Sequence, residues 1–182
     1  FSNILSLTSM MIQEPVTNIG PSAFHHCTSL MSVAIPSSVT TIGGNAFRLC
    51  TGLISVAIPA SVTNIGAGAF ESCHSLTAIS VDPSNPRYST ADGVLFSLDR
   101  SLLIQCPGGK TDAYAIPPGV TLIGSSAFFG CRRLTSVTLA ASVTTIEFAA
   151  FVGCYGLTNI TFPEGVTSIV HLAFVSCISL TN

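Results

Sequence analysis

The residues of this chain best equipped for chemistry are its seven cysteines. Six of them fall in one column, Cys27, Cys50, Cys73, Cys131, Cys154 and Cys177, and Cys106 stands apart. Thiols in such a row could bind metal or pair as disulfides. Zinc sites draw ligands from tight CxxC or HxxxH pairs, and neither spacing occurs here. Stacked thiols would have Cα atoms close enough to bridge, but side chains pointing inward in parallel do not face one another. Buried, reduced cysteines acting as small hydrophobes account for the column.

Other chemistry finds less support. His25, His26, His74 and His171 belong to no repeated column, and the adjacent His25 and His26 read as a solvated surface pair. Eight carboxylates are scattered, so no acid/base couple converges on a cleft. No glycine-rich phosphate loop follows a strand and no nucleophile elbow is present. The sequence therefore reads as non-enzymatic, with no cofactor and no metal-ligand set. A formal net charge of -2 offers no reason to expect nucleic acid. No apolar run approaches the roughly 18 residues that cross a bilayer. Charged residues make up only 8% of the chain, against about a quarter in ordinary globular domains. Ser, Thr, Asn and Gly must cover the outside, or a partner covers part of it. Asn159-Ile160-Thr161 is a glycosylation sequon, relevant only in a eukaryotic secretory source.

The elements that position these residues are set by a repeat. Phe1, Phe24, Phe47 and Phe70 are evenly spaced, as are Phe128, Phe151 and Phe174, with one longer step between the groups. Leu30, Leu53, Leu76, Leu134 and Leu157 keep the same phase, and so do Ile19, Ile42, Ile65, Ile123 and Ile146. In one coil, Val33-Ala34-Ile35 alternates as a short strand, and Pro36 stops it. Val39 to Ile42 is a second β-prone piece closed by Gly43, and Ala46 to Cys50 is expected to make a single helical turn. No such coil can bury its apolar side alone, so the coils must stack at about the 4.8 Å strand spacing. A mainly β solenoid of coils of about 23 residues follows, with short helical turns and one hairpin insert.

The phrase running from Ile65-Gly66 through Ala69-Phe70, Cys73, Leu76 and Ile79 resembles the BspA-like family of leucine-rich repeats, and the resemblance covers every coil. It implies a leucine-rich-repeat superhelix, non-catalytic, of the kind found in cell-surface or secreted adhesins that bind host proteins or extracellular matrix. The irregular segment resembles the family's recurrent hairpin insert. Departures are local: Ile4 replaces the Cys, Glu147 and Val170 the Gly, and Gln13, Asp82 and Ala140 the Pro.

The chain is expected to be one domain, residues 1–182, with coils over 1–81 and 116–182 and an insert over 82–115. It starts and stops in mid-repeat, which reads as a fragment of a longer protein. The insert concentrates Asp82, Arg87, Asp92, Asp99, Arg100, Lys110 and Asp112, with Tyr88 and Tyr114. Gly93 to Phe96, Leu98 to Ser101 and Leu102 to Ile104 read as a hairpin. Polar loops that interrupt a regular scaffold often carry function, although the hairpin could equally serve only to splice two stacks.

Candidate partner-binding residues are therefore Tyr88, Asp92, Asp99, Arg100, Lys110 and Tyr114 in the insert. On the exposed strand face they are Ser32, Ser55, Ser136 and Asn159. Aromatic and arginine anchors are missing from that face. Thr17, Thr40, Thr63, Thr121, Thr144 and Thr167 form another row, which could order water or simply bond up the stack. The expected function is a protein-interaction or adhesion module. A self-assembling filament or coat, joined through open solenoid ends, is the alternative.

Overall fold

The computed structural model describes residues 1–181; Asn182, the end of the expected last coil, lies outside them. It is a β solenoid of about seven turns of roughly 23 residues. Longer strands stack in parallel on one side: Ser9–Met11 on Ser32–Ala34, Ser55–Ile58 on Ala78–Val81, and Asp112–Ala115 on Leu134–Thr138 and then Asn159–Thr161. The register pairs column with column, as in Val56 with Ile79 and Val137 with Ile160. Two-residue strands stack on the other side, with Asn18–Ile19, Thr41–Ile42 and Asn64–Ile65 in one sheet.

The phenylalanines form a row. Ring centroids are 5.4, 5.2 and 5.6 Å apart from Phe1 to Phe70, and the planes diverge by no more than 3°. Beyond the insert, Phe128, Phe151 and Phe174 stack at 4.6 and 5.1 Å. Such offset stacking adds to the area each ring buries. The Cys, Leu, Ile and Val columns fill the space beside the rings.

No helix forms among the described residues, so the expected helical turns are corrected. Two residues in each regular coil take positive φ, one two before the Phe and one two after: Asn45 (56°) and Leu49 (62°) flank Phe47, and Ser126 (57°) and Gly130 (73°) flank Phe128. A helix needs uniform negative φ. The alternation instead points successive N–H groups in opposite directions. Ala46 and Arg48 donate within their own turn, to Gly43 and Asn45, while Asn45, Phe47 and Leu49 donate to Ala67, Ala69 and Glu71 of the next coil. The turns are thereby stitched along the stack as the strands are.

The insert is a meander. Tyr88–Ala91 pairs antiparallel with Val94–Ser97, which pairs antiparallel with Leu102–Gln105. Leu102–Gln105 pairs in parallel with Leu122–Ile123, and Asp112–Ala115 with Leu134–Thr138, so both strands belong to the second stack. Alternation along Val94–Ser97 splits the core: Leu95 packs with the first stack, Val94 and Phe96 with the second. The hairpin is thus a wedge with one apolar face for each stack.

A candidate interaction surface

Insert residues first cap the first stack. The edge of Asn64–Ile65 has no following strand, and the Tyr88 hydroxyl takes its place, accepting from the Ile65 N–H at 2.9 Å and donating to the Thr63 carbonyl at 3.4 Å. Asn85 is buried, and its amide donates to the Pro59 and Val62 carbonyls, both at 2.9 Å. Its Oδ1 accepts from the Arg87 and Tyr88 N–H groups, also at 2.9 Å. In regular coils a serine reaches the same carbonyl column, Ser61 to Val39 and Ser142 to Val120, at 2.7 Å. Here the Val62 carbonyl is taken by Asn85, one residue after Ser84, which holds the serine position by count.

The remaining insert candidates separate by environment. Tyr114 is buried at 6% exposure, and its ring lies 6.1 Å from Phe128 at the end of the aromatic row. That removes it from any surface. Its hydroxyl is buried without a hydrogen-bond partner among the described residues, and burial pushes its pKa up. Lys110 pairs with Asp92 at 2.6 Å and lies over the Tyr114 ring at 4.9 Å, so its ammonium is largely committed. Asp99 accepts from the Ser97 hydroxyl at 2.6 Å and from the Ser101 N–H at 3.1 Å, and the Ser97 bond leads in holding its carboxyl below the usual range. These bonds stiffen the hairpin tip, where Leu98, Asp99 and Arg100 stand exposed. Between the tip and the first stack lies an open groove of about 680 Å³, lined by Ile65, Arg87, Tyr88, Leu98, Asp99 and Ile104.

On the strand face Ser32, Ser55 and Asn159 are exposed and Ser136 is half-buried. Beside the first two stand Met31 and Ile54, 50% and 51% exposed, adjacent through the bond from the Ile54 N–H to the Met31 carbonyl at 3.2 Å. Most of the threonine row spends its hydroxyl protons internally: Thr40 donates to the Thr17 carbonyl, Thr121 to Ser101, Thr144 to Thr121 and Thr167 to Thr144, at 3.2 to 3.3 Å. Bonding up the stack accounts for that row.

Column thiols other than Cys131 also donate, to the carbonyl of the Phe in the preceding coil: Cys50 to Phe24 at 3.0 Å, and Cys73 to Phe47 and Cys154 to Phe128 at 3.1 Å. All seven cysteines are free. Burial raises the Cys50 thiol to about 12 and Cys73 well above its ordinary value, so neither is an active thiolate at neutral pH. Among the described residues no cluster of three His, Cys, Asp or Glu could hold a metal, and no helix is long and apolar enough to cross a membrane.

His74 bridges the two stacks. Its Nδ1–H donates to the Gly130 carbonyl at 3.1 Å. Burial, followed by the charge of Arg132, lowers its pKa below 6.5, and the Gly130 bond opposes them. The unfolded chain therefore binds this proton first. Stability is expected to be full above about pH 6.5 and to fall as pH drops through the folded value. Urea midpoints at about pH 7.5 and pH 5 should differ, and His74→Gln should shrink the difference; an unchanged difference would exclude His74 as its source.

Stacked 23-residue coils with parallel strands on two sides and an aromatic-lined interior define a leucine-rich-repeat solenoid. Residues 1–93 and 109–182 match the BspA type leucine-rich repeat region, in six copies. The chain belongs to that family. Its fold is similar to the pneumococcal vaccine antigen PcpA, at 26% identity and TM-score 0.76 over 88% of this chain and 40% of that one. It is also similar to a leucine-rich cell surface protein of Faecalibacterium prausnitzii, at 34% identity and TM-score 0.73, over 96% and 52% of the two chains. A leucine-rich repeat protein of T. pallidum is 30% identical with TM-score 0.60, over 97% and 79%. The chain thus spans about half or less of the first two relatives. None of the curated proteins compared is similar to it in sequence. This family and fold are generally non-catalytic, and such repeats often serve protein interaction or adhesion.

Proposed function

We propose that this chain is a cell-surface or secreted interaction module that binds a protein or extracellular-matrix partner across its strand face. The observation that carries the reading is the patch of Met31 and Ile54, side by side in adjacent coils and bordered by Ser32 and Ser55. An exposed apolar patch rimmed by small polar residues suits a protein contact, and methionine adapts to varied partners. The rigid tip with Leu98, Asp99 and Arg100 is the second element of the surface, and Ser136 and Asn159 extend the face along the second stack. The surface location is supported by the relative described as a cell surface protein.

The test is binding of purified extracellular-matrix proteins by surface plasmon resonance. Ile54→Lys should weaken binding at least about tenfold, because a buried apolar contact would become a desolvated charge. Arg100→Glu should act more weakly, as rim charges do. Unaltered binding by Ile54→Lys would remove the patch from the function. Sedimentation over a concentration series separates the filament reading, which requires mass to grow with concentration.

A further inference from the structure

Cys106 lies outside the cysteine column, yet the stack gives it a defined place. Its N–H donates to the Ala127 carbonyl at 2.7 Å. The same bond runs from Phe24 to Ala46, Phe47 to Ala69 and Phe128 to Ala150. Cys106 therefore holds the phenylalanine position of the coil preceding Phe128, and a thiol replaces the ring. Tyr114 fills the vacated end of the aromatic row.

This substitution alters the neighbouring column thiol. Regular column thiols are tied to a Phe carbonyl at 3.0 to 3.1 Å. Cys131 has no such short bond: its Sγ lies 3.9 Å from the Cys106 carbonyl and 3.7 Å from the Pro107 carbonyl. Cys106 Sγ lies 3.9 Å from that same Pro107 oxygen. Two loosely held sulfurs, projecting from different positions of successive coils, converge on one atom. The other column thiols each keep a short bond to a Phe carbonyl. Both Cys106 and Cys131 are fully buried.

We propose that Cys106 and Cys131 form a disulfide when the chain folds in an oxidising environment, fastening the irregular coil to the regular coil after it. The step is thiol–disulfide exchange with a small-molecule disulfide such as oxidised glutathione. One protein thiolate attacks the oxidant's disulfide, forming a mixed disulfide and releasing one glutathione thiolate. The other protein thiolate then displaces the second glutathione. The protein loses two electrons and two protons, and the oxidant becomes two thiols. In the folded chain Cys131 resists deprotonation, through its contact with Cys106 and through burial, so exchange belongs to folding, before the coils close. The bond depends on an oxidising environment and not on the binding surface, so either proposal can fail alone.

The test is refolding of the full chain in a glutathione redox buffer, alkylation, and peptide mapping. Tryptic cleavage after Arg100, Lys110 and Arg132 puts Cys106 and Cys131 on separate peptides, 101–110 and 111–132. Expected is a cross-linked pair of these peptides, absent in Cys106→Ser, with a Tm roughly 5–10 °C above that of the reduced chain. Both peptides recovered alkylated, or a cross-link within the column such as Cys154 to Cys177, would overturn the proposal. Mapping the unmutated chain keeps the test decisive even if Cys106→Ser folds poorly.

Discussion

Replacing Phe47 by alanine lowers the unfolding free energy by about 3–5 kcal/mol, the range for deleting a buried aromatic side chain. Phe47 is fully buried between Phe24 and Phe70, at 5.2 and 5.6 Å with near-parallel planes. Its removal leaves a cavity and takes one face from each neighbour. Solenoid stability is close to a sum of coil terms and nearest-neighbour interfaces. A break at Phe47 should therefore partly uncouple the first coils from the rest and broaden the urea transition as well as lower its midpoint. Phe47→Leu should recover most of the volume but not the stacking. Phe1→Ala serves as the control, since Phe1 is 66% exposed and its loss should cost under about 1 kcal/mol. A comparable, small loss at both positions would show that the aromatic row contributes little.

The second large effect is expected at Asn85. Asn85→Ala deletes four hydrogen bonds, leaves the Val62 carbonyl and the Tyr88 N–H without their partner, and reduces the Pro59 carbonyl to its bond from the Val62 N–H. Abandoned buried polar groups cost more than the bonds contributed, so a loss of about 2–4 kcal/mol is expected. Asn85→Asp keeps an acceptor for the two N–H groups but sets a negative charge against two carbonyls, and it should be no better. Tyr88→Phe removes only the hydroxyl that caps Ile65 and Thr63, and should cost about 1–2 kcal/mol. Chemical denaturation ranks the three. If Asn85→Ala proved no worse than Tyr88→Phe, the capping role assigned to Asn85 would not stand.

These two sites differ in how visible they were beforehand. Phe47 belongs to a column, and equal spacing of identical residues reports an interior because each copy meets the copy before and after it. Asn85 occurs once. Its partners lie in the preceding coil, and nothing in the local run Pro83-Ser84-Asn85-Pro86 announces a buried amide. Tyr114 misled for a related reason: placed among charged residues it reads as exposed, yet it takes up the space that Cys106 leaves at a phenylalanine position. The exposed Leu98 and the groove-lining Arg87 were passed over because exposure at a hairpin tip depends on how the meander leaves the stack.

The amino-acid sequence by itself determined the coil length, the stacking, the buried columns and the hairpin. All of these are written in which residue types recur and how far apart. Tertiary structure alone decided which peptides flip in the turns, where Asn, Leu, Ser, Ala and Gly share one left-handed role. It also decided which hydroxyls and thiols are spent on carbonyls of the coil before, and where the unrepeated Asn85, Tyr88, Cys106 and Tyr114 come to rest. A period encodes contacts between equivalent positions. Contacts between non-equivalent positions exist only once the chain has wound back on itself.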